Sequence, residues 1–296
     1  VAMDGRAQAL RRLGRLHEAI DWYGRALEAS PDFAAALVHR ARCHQEMGED
    51  VLALADFRRA LRLQPQRHDW HLACATLLAT DDPSAAKAAL HEAARCGAAP
   101  AQVDFMLAAL TGAPPPPLPP SSYVSALFDA YAPHFERHLT RKLNYRAPQL
   151  LADVLLPLLA GRRGRIADLG CGTGLMGRLL RGQASELDGV DLSPAMIEQA
   201  KACGVYDALD VGDLVAFLRA RSDHYDIAVA ADVFVYIGDL APVFAALKQA
   251  LRIEGMTAFT VEALDEGDFV LQPTRRYAHS RAYIERVAAA HGFASR

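Results

Sequence analysis

Three acids stand where side-chain carboxylates could hold a nucleoside-like ligand. The first opens the run Asp168-Leu169-Gly170-Cys171-Gly172-Thr173-Gly174. Glycines there let the backbone turn tightly and approach a ligand, and a following helix offers free N–H groups. The bare glycine pattern is not selective, because Gly172-x-Gly174-x-x-Gly177 also fits a dinucleotide fingerprint. Asp168 weighs against a dinucleotide: a carboxylate just before the glycines repels a pyrophosphate and suits an ammonium. Asp191, in Gly189-Val190-Asp191-Leu192-Ser193, can accept bonds from both hydroxyls of a ribose. Asp213, in Gly212-Asp213-Leu214, stands where an adenine amino group would donate to it, although an acid after a strand is also a common helix cap. Cys171 reads as a small packed residue, with nothing nearby to activate a thiolate.

These acids need strand ends to hold them. Short β-rich runs at 165–169, 186–190, 208–211, 225–231 and 256–261 alternate with helical patterns at 175–181, 194–202, 214–221 and 240–251. Such alternation predicts a parallel, doubly wound α/β sheet, whose ligands bind at the carboxyl ends of the strands near the switch point.

The first half has a different period. Gly14, Ala19, Tyr23, Ala26, Leu27 and Pro31 recur 34 positions later as Gly48, Ala53, Phe57, Ala60, Leu61 and Pro65. Small residues face an aromatic, a glycine joins two helices, and a proline closes each unit. The pattern resembles the tetratricopeptide repeat. A third unit over about 68–101 loses the register, with Asp81-Asp82-Pro83-Ser84 as its turn and Ser84 as helix cap, and residues 101–110 form one more helix. The first unit reads as lacking most of its first helix, and both chain ends read as cut. Six prolines between Gly112 and Ser122 predict a stiff extended spacer. The expected division is an all-α domain over 1–111, a linker over 112–122 and a cofactor domain over 123–296.

The acid series resembles the class I S-adenosyl-L-methionine-dependent methyltransferases. The stretch Tyr123 to Pro148 (YVSALFDAYAPHFERHLTRKLNYRAP), with AADVFVYIGDL from Ala230, narrows the resemblance to bacterial methyltransferases that contain tetratricopeptide repeats, over nearly the whole chain. The resemblance implies a Rossmann-like fold and S-adenosyl-L-methionine as cofactor. It assigns Asp168, Gly170, Gly172 and Gly174 to the methionine end and Asp191 to the ribose, with Leu192 counted among the contacts. Met196 would pack on adenine, Asp213 with the Leu214 backbone would read the adenine edge, and Ala231-Asp232-Val233 would line the floor near the sulfonium. Tyr123, Phe128, Tyr131, Phe135 and Tyr145 read either as core or as a lid over the sulfonium, where aromatic faces favour a cation. The resemblance favours a lid, Tyr131 above all, with Pro133 as hinge. His134, His138, His279 and Glu262 are candidate bases, each also readable as a surface or core residue. The string Gln272 to His279 reads as a polar loop able to orient an acceptor. In the superfamily two further strands follow the helix expected at 281–290, and here the chain stops at Arg296.

Composition narrows the rest. The net charge of −3 advertises neither nucleic acid nor an anionic membrane. No apolar run is long enough to span a bilayer. Cys43, Cys74, Cys96, Cys171 and Cys203 show no CxxC pairing, which argues against a metal site and fits a reducing cytoplasm. The expected reaction is methyl transfer to an oxygen, nitrogen or carbon nucleophile of a small-molecule acceptor, with a protein partner for the repeats as a further expectation. Two rival readings are a cofactor-binding adaptor whose repeats hold a partner protein, and an NAD-dependent oxidoreductase.

Overall fold

A computed structural model describes residues 2–132, 135, 146–159, 161 and 163–295. The candidate residues His134 and His138, the expected hinge Pro133 and the lid aromatic Tyr145 lie outside the described residues. The chain divides into two compact units, Val1–Ala113 and Pro114–Arg296.

The first unit is helical: α1 (Ala2–Arg12), α2 (Leu16–Ala29), α3 (Ala34–Met47), α4 (Asp50–Leu63), α5 (His68–Leu78), α6 (Pro83–Arg95) and α7 (Pro100–Thr111). Gly14 and Gly48, in equivalent turns, have φ of 73° and 78°, a conformation that L side chains resist. The repeated positions Ala19, Ala53, Tyr23 and Phe57 are all buried. Arg40 donates to both carboxylate oxygens of the buried Asp56 at 2.7 Å, tying α3 to α4. Two local expectations change. The first helix is 11 residues long against 14 for α3, so most of it is present. The cap of α6 is Asp82, which accepts from the Ala85 N–H at 2.9 Å, because Pro83 takes the first helical position and places Ser84 inside the helix.

The second unit contains α8 (Ser121–Tyr131), α9 (Ala147–Leu159), β1 (Gly164–Leu169), α10 (Leu175–Leu180), β2 (Ala184–Asp191), α11 (Pro194–Cys203), β3 (Ala208–Val211), α12 (Leu214–Arg219), β4 (Tyr225–Ala230), α13 (Ala241–Ala250) and β5 (Leu251–Phe259). The five strands form a parallel sheet in the order β3-β2-β1-β4-β5. Its central strands β1 and β4 each end in four buried residues, because both faces are covered. One core cluster holds Phe217, Tyr225, Phe244 and Leu247; another holds Leu155, Ile166, Leu180 and Ile227. The order reverses between β1 and β4, where a ligand crevice opens.

A second sheet was not foreseen. β6 (Glu262–Leu264), β7 (Phe269–Leu271) and β8 (Tyr277–Ser280) pair in the order β6-β8-β7 and lead into α14 (Arg281–Ala290). All four residues of β8 are buried, so the last part of the expected polar loop is an interior strand. The proline segment is also not a free spacer. Prolines lack an N–H, so at those positions only the carbonyls can bond. Pro116 O accepts from the Tyr277 hydroxyl at 2.7 Å, and Pro117 O accepts from the Gly238 and Asp239 N–H groups at 2.9 and 3.1 Å.

Candidate cofactor and acceptor site

The glycine turn after β1 separates by function. Gly170 has φ of 64°, and a Cβ there would stand 2.5 Å from Val233 Cγ2. The Gly172 N–H donates to Asp191 Oδ2 at 2.9 Å, while Asp191 Oδ1 accepts from the Ser193 N–H at 2.9 Å. Asp191 therefore ties the glycine turn to the start of α11. Burial raises its pKa. Each of its oxygens keeps a second lone pair, free for a ligand hydroxyl.

Gly170, Gly172, Asp191, Leu192, Met196, Asp213, Leu214, Asp232 and Tyr131 all line one cavity of about 460 Å³. The structure thus brings together nine of the residues assigned to the cofactor from sequence. Asp213 does two things: its Oδ1 caps α12 through the Ala216 N–H at 2.9 Å, and its side chain borders the cavity. Asp232 sits at φ of 61°, with its N–H on Thr260 Oγ1 at 2.8 Å. Its carboxylate is gripped by Arg276, whose Nε lies against Glu262. Burial works to lower the Arg276 pKa, but the Asp232 and Glu262 carboxylates outweigh it and the net shift is upward.

Four of the candidate residues do not border this cavity. Asp168 does not border the cavity; it is 1% exposed beneath the glycine turn, accepting from the Tyr206 hydroxyl at 2.6 Å. Burial pushes its pKa up to about 7, against the bond from Tyr206. Gly174 also stays outside, because its open side faces Cys203 and Tyr206. His279 lies buried in β8, Nε2 against the Gly238 carbonyl at 3.0 Å, with burial lowering its pKa. It packs on Tyr283 as a core histidine rather than facing the cavity. Glu262 serves Arg276 and does not line the cavity.

The cavity has walls that sequence reasoning missed. Val124 and Leu127 of α8 line it beside Phe128 and Phe135, which belong to the aromatic set expected as core or lid, and Leu118 and Pro119 of the proline segment join them. Phe128 meets Tyr236 edge-on at 5.3 Å between ring centres, and Tyr131 meets Phe135 likewise at 5.3 Å. Asp129, the lone acid of α8, accepts from Ser193 Oγ at 2.5 Å and from the Ala195 N–H at 3.2 Å. Its signal in the sequence was that isolation: one carboxylate in an otherwise uncharged aromatic helix.

The chemistry of this lining fits a nucleoside carrying an amino acid better than a dinucleotide. The described lining residues offer Asp191, Asp213, Asp232 and Asp239, and their one cation, Arg276, is already paired. Two phosphates there would face carboxylates with no free counter-charge. Elsewhere Glu186, Asp188 and His224 bring ligand atoms within 4.8 Å of one another, but Arg165 already lies in that cluster, 3.2 Å from Glu186.

Comparison with known proteins agrees with this geometry. Residues 167–257 match the family described as methyltransferase domain, and residues 1–43 match the tetratricopeptide repeat. The chain is 29% identical over 172 residues to the malonyl-[acyl-carrier protein] O-methyltransferase of Salmonella typhimurium, covering 57% of this chain and 66% of that protein. It is 41% identical over 87 residues to human methyltransferase-like protein 27, covering 28% of this chain and 35% of that protein. The chain thus spans just under two thirds of the bacterial relative and about a third of the human one. Among the described residues no helix is long and apolar enough to cross a membrane. The chain thus matches a methyltransferase domain built on a Rossmann-like parallel sheet, preceded in the sequence by tetratricopeptide repeats.

Proposed function

We propose that this protein transfers the methyl group of S-adenosylmethionine to an oxygen, nitrogen or carbon nucleophile of a small-molecule acceptor. The observation that carries the reading is one cavity bordered both by the acids after β2 and β3 and by the aromatic side chains of α8. The cofactor supplies an already activated sulfonium methyl, so the protein's work is alignment and exclusion of water. Asp191 accepts ribose hydroxyls, Met196 and Leu214 flank the base, and Asp213 accepts from its amino group. Phe128, Tyr131 and Phe135 close the cavity and present ring faces suited to a cation. The Arg276–Asp232 pair marks the acceptor end and orients polar groups there.

The bacterial relative is named as a malonyl-[acyl-carrier protein] O-methyltransferase, which supports testing malonyl conjugates first among acceptors. Radiolabelled methyl transfer from S-adenosylmethionine into a panel of metabolites and acyl thioesters tests the reaction. Calorimetry with S-adenosylhomocysteine and with NAD tests the cofactor. Asp191→Ala should weaken S-adenosylhomocysteine at least tenfold, or about 1.4 kcal/mol. Tight NAD binding with no response to S-adenosylhomocysteine would overturn the reading. Binding without transfer to any acceptor would favour an adaptor built on the repeats.

A further inference from the structure

Tyr206, in the turn after α11, sits in a seat cut from glycine. A Cβ at Gly177 would stand 2.3 Å from its hydroxyl oxygen and 2.4 Å from Cζ. One at Gly189 would stand 3.1 Å from its ring, and one at Gly174 3.2 Å. Gly174 belongs to the run read as allowing backbone approach to a ligand and Gly177 to the dinucleotide pattern that overlaps it, yet neither lines the cavity. Their space is spent on a tyrosine. The ring alone would need only volume; the hydroxyl is used on Asp168, at 2.6 Å.

We propose that Tyr206 is a positioning residue of the cofactor site: its hydroxyl bond fixes Asp168 as the carboxylate that attracts the cofactor's amino group from beneath the glycine turn. The proposal rests on S-adenosylmethionine being the cofactor. Asp168 lies two residues before Gly170, and Gly170 and Gly172 border the cavity, so its carboxylate stands next to the backbone that faces the ligand site. In so dry a place the attraction is little screened. The groups facing Asp168 are the Tyr206 hydroxyl, the Gly177 N–H and the Asp191 carboxylate, with Cys171 close by and Cys203 facing Tyr206. Tyr206 and Gly177 favour the ionised form, whereas burial and Asp191 oppose it. The ammonium of the ligand adds to the favourable side.

The test compares two ligands across pH. S-adenosylhomocysteine carries the amino acid portion; 5′-methylthioadenosine has the adenosine and thioether without it. In Tyr206→Phe at pH 7, S-adenosylhomocysteine should bind on the order of tenfold more weakly, the loss of one hydrogen bond to a charge, and methylthioadenosine should change less than about twofold. Removing the donor makes Asp168 hold its proton to higher pH. The acid-side fall of S-adenosylhomocysteine affinity should therefore begin at higher pH in the variant, while any acid-side fall for methylthioadenosine, set by Asp191, should be the same in both proteins. In an Asp168→Asn background, Tyr206→Phe should have no further effect on the homocysteine ligand. Equal weakening of both ligands, or an unmoved pH profile, would overturn the proposal and leave Tyr206 as packing. If neither ligand binds the unaltered protein, the cofactor reading itself falls.

Discussion

Two tyrosines, one in each unit, the first buried and the second partly buried, are seated by different means. In the helical unit Tyr23 lies in a cluster with Ala7, Ala19, Ala26, Ala36 and Ala41. Its hydroxyl has no hydrogen-bond partner among the described residues. In the α/β unit Tyr206 is ringed by Gly174, Gly177 and Gly189, and its hydroxyl reaches a carboxylate. Alanine suffices where a ring must only fill the groove between helices. Glycine is required where the tip of the ring must press into a backbone turn. The first seat supports packing that repeats along the chain, and the second aims one bond.

The comparison can be broken at several points. Phe57 holds in the second repeat the place Tyr23 holds in the first, and it is 2% exposed. Phe57→Ala should cost about 3–5 kcal/mol, the usual toll of emptying a core aromatic site, read by denaturant unfolding. S-adenosylhomocysteine affinity measured in the folded protein should not move. Gly177→Ala should cost about 1–3 kcal/mol as an overpacking change, and it should also weaken the cofactor. Combined with Tyr206→Leu, the stability loss should be less than the sum of the two single losses, because the clashing ring is gone. Full additivity in thermal melts would deny the seat.

Only the second seat contains a carboxyl held near pH 7. Asp168 titrates from about 7 in the folded chain against 3.8 when unfolded, so between those values the native state binds more protons. Native stability should then fall as pH rises from about 4 to about 7, relative to an Asp168→Asn variant measured in parallel. A constant difference between the two proteins would show that the carboxyl is not so perturbed. The smallest effect belongs to the first seat. Tyr23→Phe removes a buried hydroxyl that lacks a partner and should change stability by less than about 1 kcal/mol, in the stabilising direction. A clear loss in its melting temperature would mean that the hydroxyl does bind something.

How far the molecule could be read in advance follows from which forces are local. The 34-residue period, the strand Ala208–Val211 and the helix Arg281–Ala290 rest on local pattern, and each was legible. So were Gly170, Gly172 and Asp191, where a strand end, a turn and an acid lie close in sequence. Tyr277–Ser280 was not legible: its polar neighbours hid a short buried strand that exists only through pairing with β6 and β7. The fate of Asp168 and Gly174 was hidden for a similar reason, since Tyr206 arrives from 38 positions away. His279 looked like a base because its type permits it, and the Gly238 carbonyl that occupies it is 41 residues distant.

The proline segment bears on how such a chain can be recombined. Its carbonyls at Pro116 and Pro117 are bonded within the α/β unit, and Leu118 and Pro119 stand in the cavity wall. A cut at Ser121, where the helix begins, would leave an α/β module whose cavity lacks a wall. A transplant that begins before Pro114 would carry the wall along. The natural joint for exchanging one repeat array for another is therefore on the far side of the prolines, and evolution or an engineer would move them together with the α/β unit.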